Sequence, residues 1–260
     1  MSSRRYSLTQ SVSIDVPGSD PMPAYVARPA DGDVRGTVIV GMELFGVTAH
    51  VRDICDRLAA HGYAAIAPDF YHGAAPGTEL PADEYGRKRG FELLEQLTRQ
   101  QALDDLTATV TWASGEYPPL VGMVGLSVGG HLAYLAAAAL DLPAVAIFYG
   151  GWIPTTDLSI SRPEPTIAGT ARISGRVQIF VGSDDPIVPA EHRQQLTDAL
   201  AAARVEHELI AYPGVGHGFL CDRRAGHDPK AATDAWNRLL LFLDEGSRSA
   251  DAVGRRAGRG

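Results

Sequence analysis

The stretch from Val121 to His131 constrains this chain more than any other. It runs as a continuous apolar strand through Val124, turns at Gly125-Leu126-Ser127-Val128-Gly129, and passes through Gly130 and His131 into an alanine-rich helix. A serine held on so tight a strand-to-helix turn projects its hydroxyl above the sheet edge. Glycines two residues to either side leave room for the backbone to cross. The pentapeptide alone is common in ordinary loops, so the strand before it and the helix after it carry the assignment. They make Ser127 a candidate nucleophile.

A serine hydroxyl is inert without a base, and the chain supplies one downstream. Residues 177–181 read as a buried strand that ends at Gly182 and delivers Ser183-Asp184-Asp185-Pro186 to its carboxyl end. A second strand over 206–211 leads into Gly214-Val215-Gly216-His217-Gly218-Phe219. The order Ser, Asp, His is that of an α/β-hydrolase triad, with Asp185 preferred to Asp184 because it directly precedes Pro186. An aspartate before proline also serves as a plain turn residue, and a histidine among glycines as an exposed loop residue. Three such residues in order, each just past a strand, favour the catalytic reading of Ser127, Asp185 and His217.

The 260 residues, 45% hydrophobic, suffice for one large core, expected over residues 1–245, with a basic, Gly- and Ala-containing tail at 246–260 expected to be disordered. A formal net charge of -8 leaves no basic stripe for a nucleic-acid partner. Two cysteines, Cys55 and Cys221, are too few for a disulfide framework, and Cys55 falls on a helix's apolar stripe. No apolar run reaches signal-peptide or membrane-spanning length, so a cytoplasmic protein with no membrane partner is expected.

Strands and helices alternate without an internal repeat. Residues 11–16 and 24–28 predict an antiparallel hairpin at one sheet edge, and 36–40 and 64–67 predict buried strands around a helix bearing Val51, Ile54, Cys55 and Leu58. Helices are expected at 82–98 and 102–114, a strand at 144–149, a helix at 190–203, and a last helix with Ala232, Ala235, Trp236, Leu239, Leu240 and Leu243 on one face. Strands separated by helices imply an α/β fold, a mostly parallel sheet covered on both faces.

With these residues in view, the chain resembles the dienelactone hydrolases, compact α/β-hydrolases without a separate lid domain. The resemblance rests on Met42-Glu43-Leu44-Phe45-Gly46-Val47, on Arg52-Asp53, on His61 through Tyr71, on the Ser127 turn, on Asp185 through Pro189 and on Gly216-His217-Gly218-Phe219. It spans about residues 36–243. It implies a glutamate, Glu43, beside the nucleophile and an oxyanion hole from the backbone N–H groups of Leu44 and Val128. A structural salt bridge from Glu43 to Arg52 is the alternative. The chain departs from the family pattern in two places: the usual cysteine nucleophile is Ser127, and the arginine expected shortly after the histidine is displaced by Cys221 and Asp222, with Arg223 and Arg224 only slightly later. Arg87, Lys88 or Arg89 could instead meet an acidic substrate, although a solvated helix face explains that cluster as well.

The resulting expectation is a serine hydrolase acting on a small-molecule carboxylic ester or lactone through an acyl-enzyme, with no metal and no organic cofactor. His50, His61 and His72 lack ligand spacing. An acyltransferase or cyclase using the same triad, or a non-catalytic ligand-binding homologue, are the alternatives. Tyr71, His72, Tyr85, Phe148, Tyr149 and Trp152 fall near carboxyl ends of strands, where ligands of open α/β sheets bind, and would line the pocket or pack around it.

Overall fold

The computed structural model describes residues 7–257, with side chains described through residue 245. Its centre is an eight-stranded sheet built from β1 (Ser7–Ile14), β2 (Met22–Pro29), β3 (Gly36–Gly41), β4 (Tyr63–Pro68), β5 (Leu120–Leu126), β6 (Ala144–Phe148), β7 (Arg176–Gly182) and β8 (His207–Tyr212). The spatial order is β1-β2-β4-β3-β5-β6-β7-β8. Strands β1 and β2 run antiparallel to each other, and β2 runs antiparallel to β4. From β4 to β8 every pairing is parallel. Strands β3, β4 and β6 are buried at every residue, as parallel strands covered on both faces must be, whereas the edge strands β1 and β8 are exposed or half-buried along nearly their whole length.

Helix α1 (Ala49–Ala60) turns Val51, Ile54, Cys55 and Leu58 inward and ends before Gly62, whose φ of +96° suits the left-handed residue that follows a helix. Helix α2 (Glu84–Gln96), capped by Asp83, ends at the extended Leu97, and Thr98, expected as the last residue of that helix, instead caps the start of α3 (Arg99–Glu116). Helix α4 (Val128–Ala139) follows Ser127 and packs on β3, β5 and β6, with α3 beside it. Helix α5 (Ala190–Ala202) covers β8. Helix α6 (Pro229–Ala257) starts at Asp228, whose carboxylate accepts the N–H groups of Lys230 and Ala231 at 3.0 and 2.9 Å. It lies on the other face with α1, where the Arg57 guanidinium stacks 3.6 Å above the Trp236 ring. Its backbone remains helical through Ala257. That corrects the disordered tail expected from residue 246, while residues 258–260 lie outside the described residues.

The sheet changes winding direction at β3, since the chain leaves it toward β4 on one side and returns to β5 on the other. In doubly wound sheets a crevice opens at such a switch, at the carboxyl ends of the strands. Here α4 enters the crevice at backbone contact. A Cβ on Gly125 would stand 2.0 Å from the Gly129 carbonyl oxygen, and one on Gly129 would stand 2.3 Å from the Gly41 carbonyl. Alanine at Gly129 should therefore push α4 off the sheet and lower stability by about 3 kcal/mol or more. Gly115, near the end of α3, meets nothing within 4 Å, and alanine there should stabilise by about 0.5 kcal/mol. Urea unfolding of both variants reads the contrast, and a Gly129→Ala protein as stable as wild type would refute the close-contact argument.

Candidate functional site

Ser127 occupies the turn between β5 and α4 with φ +55° and ψ -113°, a conformation L residues rarely adopt. Its N–H donates to the Phe148 carbonyl at 2.9 Å, and its carbonyl accepts the N–H groups of Gly130 at 2.9 Å and His131 at 3.2 Å. Those bonds hold the strained residue in place. The Ser127 hydroxyl lies 2.9 Å from His217 Nε2, and His217 Nδ1 lies 2.8 Å from Asp185 Oδ2. The other Asp185 oxygen accepts the Ile187 N–H at 2.8 Å, which fixes the carboxylate plane. The Asp185 side chain is fully buried, while Asp184 is exposed and accepts the Ser183 hydroxyl. The structure thus brings Ser127, His217 and Asp185 into one hydrogen-bonded chain and leaves Asp184 out of it.

The two peptide N–H groups expected to face the serine sit at the ends of neighbouring strands, because Gly41 pairs with Gly125 across β3 and β5. Neither the Leu44 nor the Val128 N–H has an acceptor among the described residues, so both are available to a ligand. The Leu44 peptide is fixed from behind. Its carbonyl accepts the Tyr71 hydroxyl at 3.0 Å, and Gly90 of α2 packs so closely that a Cβ there would stand 2.7 Å from the same carbonyl oxygen. Tyr71 is buried, so it is a strut rather than a pocket wall.

Glu43 is buried beside this segment, and its partner is Arg224. Arg224 Nη1 donates to Glu43 Oε1 at 3.1 Å, Nη2 donates to Oε2, and the guanidinium lies 4.8 Å from the centre of the Phe45 ring. Arg52, the partner proposed from sequence, instead makes a fork to Glu79 at 2.6 and 3.1 Å and donates to the Val47 carbonyl. That expectation is corrected by geometry: the α1 arginine points along the surface toward the loop at 79, whereas the segment after His217 folds back over Glu43. Arg224 is the residue that sequence reading undervalued, since its offset from His217 did not match the family's spacing.

Tyr149 is fully buried with φ +43°, and its ring packs edge-on against His217 at 5.0 Å and Phe219 at 5.5 Å. Its hydroxyl lies beside Glu43 without closing a hydrogen bond of ordinary geometry. Burial first, and then the Glu43 charge, push this phenol well above its ordinary pKa and keep it protonated. Trp152, also in the left-handed region at φ +59°, meets Phe91 of α2 edge to face at 5.9 Å. Tyr85 and Lys88 lie on the exposed side of α2 and make no hydrogen bond to Ser127, His217 or Asp185. Phe148 stacks on Phe180 at 4.5 Å within the core, and His72 is sealed against Asp105 at 3.0 Å, so neither lines the site. Among the described residues no group of three or more His, Cys, Asp and Glu side chains is arranged to hold a metal ion, and no helix is long and apolar enough to cross a membrane.

Two variants test the struts. Removing the charge of Glu43 alone leaves the Arg224 guanidinium unpaired at a largely buried position. Glu43→Gln should therefore lower unfolding free energy by about 3 kcal/mol, with the double variant Glu43→Gln, Arg224→Met recovering most of it. Additive losses in the double variant would refute the pairing. Tyr71→Phe removes the donor to Leu44 and should weaken the fold by about 1 kcal/mol in urea titration. No change would show the bond to be idle.

Residues 22–247 match the dienelactone hydrolase family. A Synechocystis sp. protein named provisionally as a carboxymethylenebutenolidase is 38% identical over 225 residues, 85% of this chain and 91% of that protein. The carboxymethylenebutenolidase of Pseudomonas putida is 30% identical, with 91% of this chain and 96% of that protein covered. Among solved structures, one from Klebsiella pneumoniae subsp. pneumoniae, named provisionally as a dienelactone hydrolase, superposes with a TM-score of 0.81 at 31% identity, covering 92% of this chain and 98% of that one.

Proposed function

The chain belongs to the dienelactone hydrolase family of α/β-hydrolases, and from that premise we propose that it cleaves a carboxylic ester or lactone through an acyl-enzyme on Ser127. The observation that carries the reading is the hydrogen-bonded chain Ser127, His217, Asp185 at 2.9 and 2.8 Å. His217 Nε2 takes the serine proton as Oγ attacks the carbonyl carbon, and returns it to the leaving alkoxide. Asp185 accepts a hydrogen bond from the Nδ1–H, which leaves Nε2 unprotonated as the base. It also stabilises the imidazolium that forms. The tetrahedral oxyanion is received by the N–H groups of Leu44 and Val128, and a water activated by His217 then releases the acid. In a lactone the leaving alkoxide stays attached to the acyl group, so the product is a single hydroxy acid.

The relatives' carboxymethylenebutenolidase name points, for this chain, to a lactone that carries a carboxylate. Arg224 supports that extension, because its side chain keeps 21% exposure at the rim of the Glu43 pair. A substrate carboxylate would share this guanidinium with Glu43. Small-molecule turnover of this kind needs no nucleic-acid or membrane partner.

The test is direct. Ser127→Ala and His217→Ala should each lose at least about a thousandfold in kcat on p-nitrophenyl esters, and Ser127→Ala should no longer take up a fluorophosphonate. Asp185→Asn should lose about a hundredfold or more through the wrong imidazole tautomer, against less than about fivefold for Asp184→Asn. Turnover by Ser127→Ala near the wild-type rate would overturn the reading. A reversed order for the two aspartates would move the acid by one residue.

A further inference from the structure

One histidine outside the relay is buried close to the site and hydrogen-bonded at both ring nitrogens. His131 stands one helical turn after Ser127 on α4 and is fully buried. Its Nδ1 lies 2.9 Å from the Gly151 carbonyl oxygen, and its Nε2 lies 2.7 Å from the Thr166 hydroxyl. Burial pushes this imidazole down to about 4, so near neutral pH it holds a single proton. A carbonyl can only accept, which puts that proton on Nδ1 and leaves Nε2 to accept the Thr166 hydroxyl proton. Thr166 in turn is reached by Arg99 Nη2 at 3.5 Å, and Arg99 also donates to the Ile160 carbonyl at 3.0 Å.

What His131 grips is the most strained loop at the site. Gly151 sits between Gly150 and Trp152, and of the four non-glycine residues with positive φ among the described residues, Tyr149 and Trp152 lie on either side of it in this loop and Ser127 directly precedes α4. Gly130 allows the approach, since a Cβ there would stand 2.8 Å from Gly150 Cα. Residues in the left-handed region persist only where their surroundings over-determine them. Tyr149 carries the ring against His217, and Trp152 carries the ring against Phe91, so the orientation of one peptide sets both walls.

We propose that His131 is a positioning residue: its Nδ1–H bond to the Gly151 carbonyl holds the 149–152 loop in the conformation that seats Tyr149 against His217 and Trp152 against Phe91. The bond to Thr166 supports the ring but does not set the loop. The kinetic part of the proposal rests on the serine hydrolase reading, so its test carries a readout that does not.

Asparagine places an amide nitrogen where Nδ1 stands, and glutamine places one where Nε2 stands. With p-nitrophenyl butyrate, His131→Gln should lower kcat about tenfold, and His131→Asn should stay within about threefold of wild type. A purely structural role would lower the melting temperature of both without separating their kcat values. In a Trp112→Phe, Trp236→Phe background, Trp152 is the sole tryptophan, and its emission maximum should shift in His131→Gln and not in His131→Asn. Equal kcat in the two variants, or equal emission shifts, overturns the proposal. Failure of the serine reading would be seen separately, as ester turnover that survives Ser127→Ala, and the emission comparison would still decide the role of His131. Should either variant not fold, nitrogen-15 NMR of the wild-type histidines decides the bond itself: a protonated Nδ1 is expected for His131, and a protonated Nε2 overturns it.

Discussion

Backbone packed on backbone at the crossing of α4 and the sheet is the constraint from which the site follows. Gly41 and Gly125 on adjacent strands, Gly129 and Gly130 on the helix, and Gly150 on the next loop all face one another where side chains would collide. The first turn of α4 is thereby seated against the strand ends at the switch point of the sheet, with Ser127 at the turn between β5 and α4. Every other part of the site is delivered by strand ends on the same rim: Leu44 after β3, Tyr149 after β6, Asp185 after β7 and His217 after β8. The parallel order of these strands puts their carboxyl ends together without any further folding decision. The alanines of α4 belong to the same arrangement, since they fill what space remains on a buried helix around His131, Leu132, Tyr134 and Leu135.

Much of this was legible because it depends on local chemistry. The Ser127 turn, the buried strands β3 to β7 and the apolar face of α6 are periodic or glycine-marked, and the structure places them within a few residues of the expected bounds. The choice of Asp185 over Asp184 agrees with the hydrogen bonds to His217 and Ile187. Tertiary relations were hidden. Nothing in the spacing tells that the loop after His217 folds back so that Arg224, rather than Arg52, meets Glu43. His131 reads from sequence as an ordinary helix residue, because its partners Gly151 and Thr166 lie 20 and 35 residues away in a stretch with no periodicity. The extension of α6 to Ala257 was missed for a different reason: a Gly-, Ser- and Arg-containing segment has poor apolar periodicity, and its helicity propagates from the packed turns before it.

A serine in place of the family's usual cysteine changes what the neighbouring glutamate must do. A thiolate is charged before it attacks, whereas a serine reaches its charged state only in the tetrahedral adduct, on the substrate oxygen. In the proposed mechanism a bare carboxylate near that oxyanion would oppose it, by about 3 kcal/mol for unit charges about 5 Å apart at an effective dielectric constant near 20. The two-pronged contact with Arg224 removes most of this cost, because the pair presents a dipole rather than a net charge. The protonated Tyr149 beside Glu43 adds a neutral polar neighbour on the other side. Under the proposed serine mechanism, Glu43 is tolerated in the site only while Arg224 is in place, and the displaced position of that arginine in the sequence is compatible with the same chemistry because the 217–228 loop returns it to the carboxylate.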